Sequence, residues 1–144
     1  SWGARYWQAI SWYRWLPMAF DEDFAMMISL ISRDGTDRNP GGMVLHGERY
    51  QQIREVAIDT DWDDDGYQTG LTAVVSTDER TYEVRGTVTS LIPLRNRRTT
   101  PDGELLHTRI TEGLTRYRCD AKTGWGLSEY LDQVVDGRPV GMGV

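Results

Sequence analysis

Four Asp-Gly pairs divide the sequence into segments that are each long enough for one or two strands. They lie at Asp34-Gly35, Asp65-Gly66, Asp102-Gly103 and Asp136-Gly137. Asp and Gly tolerate the positive φ angles that tight hairpin turns require, so each pair predicts a turn between antiparallel strands. A chain divided in this way is expected to be all-β.

The segments between these turns have the residue patterns of strands. Strand character covers five runs: 24–32, 54–62, 67–76, 81–91 and 104–119. In the last run two sets of side chains alternate: Leu106, Thr108 and Ile110 against His107, Arg109 and Thr111. Such alternation is typical of a strand, whose successive side chains point to opposite faces. Residues 127–134 are the one short helix candidate, although a strand or bulge fits them as well.

These runs predict an antiparallel β-barrel or a strongly curved sandwich of about eight strands, with little helix. The 144 residues fit a single domain, residues 1–144. At this size roughly two-thirds of the unfolded chain's surface can be buried, which is enough for a core. The single cysteine, Cys119, rules out an internal disulfide and favours a reducing compartment, so we expect a cytoplasmic protein.

Charge and hydropathy argue against two classes of partner. A formal net charge of −6 supplies little neutralisation for phosphates, so no nucleic-acid partner is expected. The densest basic cluster, residues 95–98, lies beside the turn signal at residues 99–103 and is interpreted as part of a loop. No apolar run approaches the ~20 residues of a transmembrane helix, so no transmembrane segment is expected. No signal peptide is visible at the start of the sequence.

Three motifs resemble parts of metal or cofactor sites. Residues 61–66 fit the first half of a calcium loop, but the twelfth position is Thr72 where a bidentate Glu is needed, so a solvated acidic turn is favoured. Residues 124–129 resemble a dinucleotide fingerprint without its third glycine or a βαβ unit. His46 and His107 have no second ligand at metal-binding spacing. We therefore predict no metal site and no cofactor.

His107 and Glu129 are the candidate catalytic residues. Imidazole titrates near neutrality, so His107 could carry a proton if its face of the strand points into a barrel; pointing outward, it is a surface histidine. Glu129 precedes Tyr130, and an acid among rings can have a raised pKa and act as a general acid. The alternative for Glu129 is a solvent-facing glutamate on a strand.

Aromatic residues are concentrated at the start of the chain. Four of the six tryptophans lie within the first sixteen residues: Trp2, Trp7, Trp12 and Trp15. A strand through this segment would place Trp12 on one face and Trp7 and Trp15 on the other. Because both faces carry rings, we expect the strand to lie between two apolar layers, a barrel interior and a partner surface.

Two short motifs carry a resemblance to a known family. The chain opens Ser1-Trp2-Gly3-x-Arg5-x-Trp7, and residues 124–131 are Gly-Trp-Gly-Leu-Ser-Glu-Tyr-Leu. Together they resemble the second half of the AttH and carotenoid 1,2-hydratase (hydroxyneurosporene synthase) superfamily, whose members resemble two lipocalin-like β-barrels packed side by side. In that family an Arg-Asp-His stretch would precede Ser1. The resemblance covers most of the chain and implies one lipocalin-like barrel.

The resemblance also implies a chemistry. Hydratase members of that superfamily are taken to protonate an isoprenoid double bond and to add water without a cofactor. Ring faces would stabilise the carbocation, and an acid in a dry pocket would keep its proton. The ligand-binding candidates are Trp2, Arg5, Trp7, Trp12, Trp125 and Tyr130.

Three functions follow from these observations. The first is a small β-barrel domain that binds an apolar, isoprenoid-like small molecule. The second is a cofactor-free hydratase, a hydro-lyase, or a cyclase. The third is a structural module whose aromatic strand forms an oligomer interface, since Trp and Tyr are enriched there. Because one half of a two-barrel protein would expose the surface that packs on its partner, we expect a homodimer or an N-terminal lipocalin-like half as partner.

Overall fold

A computed structural model describes residues 6–143, which are built almost entirely from β-strands. A short 3-10 turn, Trp7–Ala9, precedes the first strand. The strands are β1 (Trp12–Asp21), β2 (Phe24–Ser32), β3 (Asn39–His46), β4 (Arg49–Gln52), β5 (Glu55–Trp62), β6 (Gln68–Ser76), β7 (Thr81–Thr99), β8 (Leu105–Cys119), β9 (Lys122–Val135) and β10 (Arg138–Pro139). The all-β prediction is confirmed, with ten strands in the described residues instead of about eight.

All four Asp-Gly pairs form the predicted turns. Each connects two consecutive antiparallel strands: β2 to β3, β5 to β6, β7 to β8, and β9 to β10. The four glycines have φ angles between 76° and 91°, which side chains with a Cβ rarely adopt. The predicted hairpin of residues 67–76 and 81–91 is also confirmed, because β6 and β7 pair antiparallel.

One antiparallel sheet contains the strands in the order β4-β3-β2-β1-β9-β8-β7-β6-β5, and β10 pairs with β9. The two edge strands, β4 and β5, are joined by only two residues, Ile53 and Arg54. Three Cα–Cα steps of about 3.8 Å keep Gln52 and Glu55 within about 11 Å, so the sheet must curl until its edges meet there. No ladder joins β4 to β5 among the described residues, and the sheet is therefore not closed into a barrel.

The concave side of the curled sheet holds the core. Its fully buried large side chains include Leu16, Ile28, Tyr82, Tyr117 and Tyr130. The rings of Phe24 and Tyr82 lie 6.0 Å apart, although β2 and β7 are four places apart in the strand order. Contact between such distant strands shows how strongly the sheet is curved.

Three sequence interpretations are wrong in their local structure. The opening aromatic segment is not a strand from Tyr6 onward, because residues 7–9 form the 3-10 turn and β1 begins at Trp12. Residues 95–98 belong to β7 and are not a loop. Residues 127–134 lie in β9, so the strand alternative is confirmed and the helix alternative is wrong. Between residues 6 and 143 there is no helix that could cross a membrane.

Candidate functional site

The convex side of the sheet carries an unusual number of apolar side chains. Pairing registers place the outward side chains of β2, β1, β9, β8 and β7 in rows that run across the strands. The first row is Ile31, Tyr13, Leu131, Ile110 and Leu94, and the second is Ser29, Trp15, Glu129, Glu112 and Ile92. We call these two rows the outer face. Its apolar character is notable because one face of a sheet is usually left to polar side chains when the other faces the core.

A groove lies beside the outer face, where β4, β3, β2, β1 and β9 run together. One row across these strands is Tyr50, Leu45, Ala25, Ala19 and Trp125. The two alanines are short and their neighbours are long, so the row is low in the middle and high at both ends. Pro17 extends the low middle, and Met27, Met43 and Leu127 extend the walls. The resulting groove has a volume of about 480 Å³.

Trp125 is held over this groove by the two glycines that flank it. A Cβ at Gly126 would lie 1.9 Å from the carbonyl oxygen of Pro17, and one at Gly124 would lie 2.3 Å from that of Ala19. The backbone of β9 therefore approaches β1 more closely than any larger residue allows. The Gly-Trp-Gly segment, which resembles a nucleotide motif in sequence, is a strand-packing device that presents Trp125, half exposed at 51%, to solvent.

A second pocket lies under the N-terminal turn, at the outer face. It has a volume of about 320 Å³ and is lined by Tyr6, Trp7, Ile10, Tyr13, Ile110, Glu129 and Leu131. The hydroxyl of Tyr13 donates a hydrogen bond to Oε1 of Glu129 at 2.5 Å. Three rings and one carboxylate thus surround a space large enough for a small organic group. We call it the glutamate pocket.

Glu112 is the direct cross-strand neighbour of Glu129. Burial raises the pKa of the Glu112 carboxyl to about 7, and the charge of Glu129 and a hydrogen bond with it act in the same direction. Two carboxyl groups this close cannot both ionise freely. Near neutral pH the Glu112 carboxyl is therefore partly protonated and can donate a proton, with a second carboxyl beside it.

The structure distributes the predicted site residues over three places. Trp7 and Glu129 lie in the glutamate pocket, and Trp125 lines the groove. Trp12 and Tyr130 point to the concave side, where each is 1% exposed.

The remaining predicted residues lie elsewhere. Trp2 and Arg5 fall outside the described residues. His107 is not brought together with Glu129, because side chains at positions 107 and 112 of β8 point to opposite faces of the sheet.

Sequence reasoning missed Glu112, Tyr13 and the groove methionines. Glu112 lies between Ile110 and Leu114 on its face of β8, and a lone acid in an apolar row was the available signal. Its pairing with Glu129 depends on the register of β8 and β9, which alternation alone does not give.

The acidic turn at residues 61–66 is organised by its own side chain. Oδ1 of Asp63 accepts the backbone N–H groups of Asp65 and Tyr67, each at 2.9 Å. This pattern is the usual way in which Asp stabilises a turn. Among residues 6–143, no group of three or more His, Cys, Asp or Glu side chains is arranged to hold a metal ion.

Comparison with protein families matches residues 1–134 to a family described as "Domain of unknown function (DUF7064)". No curated protein matches the chain. The matched residues include every side chain that lines the groove and the glutamate pocket. Both sites therefore belong to the part of the chain that the family defines.

Proposed function

The chain belongs to the DUF7064 family of unknown function, and we propose that it binds an apolar, isoprenoid-like small molecule in the groove beside Trp125. The observation that carries this proposal is the groove itself, a volume of about 480 Å³ with walls of Met27, Met43, Leu127 and Trp125. Small-molecule sites typically have about 300–1,000 Å³ and mostly apolar linings. Methionine walls adapt to irregular ligands because the side chain is unbranched and polarizable.

Only moderate affinity is expected from an open groove. Covering about 200 Å² of apolar surface would contribute about 5 kcal/mol at about 25 cal/mol per Å². Association and ordering costs oppose this gain, so we expect a dissociation constant no tighter than about 0.2 mM, on the order of 1 mM. A mostly apolar site recognises shape and size more than polar groups.

Titration with farnesol, a neutral isoprenoid alcohol, tests the proposal. We expect a saturable change in tryptophan fluorescence that Trp125→Ala weakens by about tenfold, since this change removes one wall of the groove. Val74→Ala is the matched control, because Val74 is an exposed apolar residue on β6, away from the groove. Equal affinities for farnesol in both variants, or no saturable change in the wild type, would contradict the proposal.

A second candidate, acid-catalysed hydration, is favoured by Glu129, which lines the glutamate pocket, and by Glu112, its cross-strand neighbour. The proton held between Glu112 and Glu129 would pass through Glu129 to one carbon of a double bond, and the rings of Trp7 and Tyr13 would face the carbocation. Water would then attack the cation, and the Glu129 carboxylate would accept the proton that water loses. The balance is one alkene and one water to one alcohol. Kinship with lipocalin-like hydratase domains stays a proposal, with which the all-β fold is compatible.

Mass spectrometry in ¹⁸O-labelled water tests hydration directly. Conversion of farnesol to a product heavier by one labelled water, lost in both Glu112→Gln and Glu129→Gln, would support the carboxyl pair. Hydration activity that survives both changes and is lost in His107→Ala would assign catalysis to His107 instead of the carboxyl pair. No labelled product with the wild-type chain would count against catalysis while leaving binding in the groove to stand.

Assembly is the third candidate, because the outer face is apolar. Trp15, Ile92 and Leu94 are exposed there, and exposed apolar patches mark interaction sites. The same surface is where a second copy or another lipocalin-like domain would pack. Light scattering after size exclusion that gives a dimer, converted to monomer by Ile92→Lys, would support homodimerisation; a monomer at micromolar concentration would count against it.

A further inference from the structure

The second half of β7 and the first half of β8 form a hairpin with three arginines and one histidine on one face. Arg95 pairs with Arg109, and Arg97 pairs with His107. Directly opposed side chains share a face, with Cβ atoms about 5 Å apart. Alternate residues along one strand are about 7 Å apart. The four residues therefore mark the corners of a rectangle of about 5 by 7 Å, which we call the cationic face.

Two of these side chains are fixed in place by their neighbours. Arg109 is 4% exposed, donates to the carbonyl of Gly66 and lies 4.5 Å over the ring of Tyr67. Arg95 donates to the Tyr67 hydroxyl at 2.9 Å, and its Nη1 lies 3.1 Å from Nε2 of His107. Groups held in this way lose little entropy when they bind a ligand.

Among the described residues, Arg95, Arg97 and His107 have no ion-pair partner, whereas Arg109 lies opposite Asp132, which is itself paired with Arg14. Within residues 6–143, none of the six ion pairs includes Arg95, Arg97, His107 or Arg109. Burial lowers the pKa of His107, and the charges of Arg97, Arg95 and Arg109 lower it further. Such mutual repulsion is the state that a bound anion would relieve.

A cavity of about 690 Å³ opens beside the cationic face. Its lining includes Arg95, Arg97 and His107, together with Glu104 and Asp136. The two acids lie at distances greater than an ion pair from the cations, and they place negative charge at the margin of the cavity. The cavity thus offers one small positive area with acidic surroundings.

We propose that the cationic face binds a small multivalent oxyanion, the phosphate or pyrophosphate group of a small molecule. Guanidinium groups present paired N–H donors that match the oxygens of phosphate. Arg95, Arg97 and His107 line the cavity, and the buried Arg109 adds its charge from the same face of the sheet. Glu104, Asp136 and the net charge of −6 would repel a long polyanion, so the face does not suit nucleic acid. This site is separate from the groove and does not depend on the function proposed for it.

Calorimetry with pyrophosphate tests the proposal. We expect saturable binding that Arg97→Ala weakens by about tenfold or more, the usual loss when a charge-assisted hydrogen bond is removed. Arg85→Ala is the matched control, since Arg85 is an exposed arginine on the same strand, where it pairs with Glu83. Circular dichroism verifies that both variants fold.

Three results would overturn it. One is the absence of heat at millimolar pyrophosphate, and another is an equal loss in Arg85→Ala and Arg97→Ala. The third is tighter binding of a single-stranded oligonucleotide than of pyrophosphate, with a steep salt dependence, which would assign the face to nucleic acid.

Sulfate, which does not titrate in this range, gives a second readout. Binding of sulfate should strengthen as the pH falls below about 6.5, because His107, whose pKa is lowered, gains a proton there and adds a charge to those of Arg95, Arg97 and Arg109. Glu104 and Asp136 face the same cavity. His107→Ala should abolish this pH dependence and keep the affinity measured at pH 8. An unchanged pH profile in His107→Ala would remove His107 from the site.

Discussion

Arg14 and Asp132 form an ion pair inside the curled sheet, with side chains 4% and 2% exposed. Asp132 also accepts the backbone N–H of Gly141, and the guanidinium lies 4.2 Å over the ring of Tyr130. Every polar atom of the pair has a partner, which is the condition under which buried charges are tolerated. Trp12 completes the surroundings, 5.1 Å from Arg14.

Asp132→Asn should therefore destabilise the protein strongly. The amide keeps the shape but leaves Arg14 as an uncompensated buried charge, which typically costs about 3–5 kcal/mol. Urea denaturation measures this loss. Asp120→Asn is the control, because its pair with Arg80 is exposed and should contribute less than about 1 kcal/mol. Similar losses in the two variants would contradict the assigned role of Asp132.

The raised pKa of Glu112, about 7 against an ordinary value of 4.5, makes stability depend on pH. Between these two values the folded chain binds more protons than the unfolded chain, so stability falls as the pH rises through that range. Glu112→Gln should flatten the dependence of the melting temperature on pH between about 4.5 and about 7. A slope unchanged from the wild type would show that Glu112 keeps an ordinary pKa.

Among the strands, the position of β9 is set by its close backbone contact with β1. Gly126→Ala would push a methyl group into the carbonyl of Pro17, and backbone cannot move aside as a flexible side chain can. We expect a loss of several kcal/mol, typical of overpacking, or a displaced β9. Gly137→Ala is the control: its φ of 77° costs only about 1–2 kcal/mol, and nothing lies within 4 Å of its Cβ. Thermal unfolding of both variants measures the difference, and a Gly126→Ala loss no larger than that of Gly137→Ala would be inconsistent with close packing.

Turns and strand periodicity were predictable because they depend on local chemistry. Asp-Gly pairs need positive φ, and alternation is visible wherever one face is buried, as in β5 with its half-buried Val56 and Ile58. Which side chains of β8 face the concave side of the sheet was not predictable. Its apolar residue Ile110 lies on the convex side, and its polar residues Arg109 and Thr111 are buried on the concave side. Apolar side chains on both sides of the sheet remove the contrast that normally identifies the core face.

The residues of the glutamate pocket could likewise be predicted only in part from the sequence. Glu129 was identifiable as an acid among rings, and Trp7 as a ring near it. Their meeting depends on the 3-10 turn, which interrupts the predicted strand and folds Trp7 back over β9. Glu112 required the register of two long strands, a tertiary fact that local patterns do not contain.

The curled shape of the sheet is completed where the edge strands β4 and β5 meet. We call this place the seam. Oε1 of Gln51 accepts hydrogen bonds from the hydroxyls of Thr77, at 2.9 Å, and Tyr82, at 3.1 Å. These bonds tie the β4 edge to the opposite side of the curled sheet. The sequence did not predict the seam, because β4 is only four residues long.

Gln51→Leu should open this seam. Tyr82 is 0% exposed, so its hydroxyl would lose its acceptor inside the core at a cost of about 1–3 kcal/mol. Adding Tyr82→Phe should recover part of the loss, because the unpaired hydroxyl is removed with it. Denaturant unfolding of the wild type, the two single variants and the double variant forms a double-mutant cycle. This cycle measures the interaction free energy between the two residues. A double variant whose loss of stability relative to the wild type equals the sum of the two single losses would show that the two residues act independently.

The proposed ligand site lies on the convex side of the sheet, at Trp125, and not in the core. Nuclear magnetic resonance of the tryptophan indole N–H groups during a farnesol titration tests this most directly, with Trp125→Phe used for assignment. We predict that the Trp125 signal shifts progressively while the signals of Trp12 and Trp62, which face the concave side, stay in place. A shift of Trp12 and Trp62 with Trp125 unchanged would place the ligand inside the curled sheet and contradict the account.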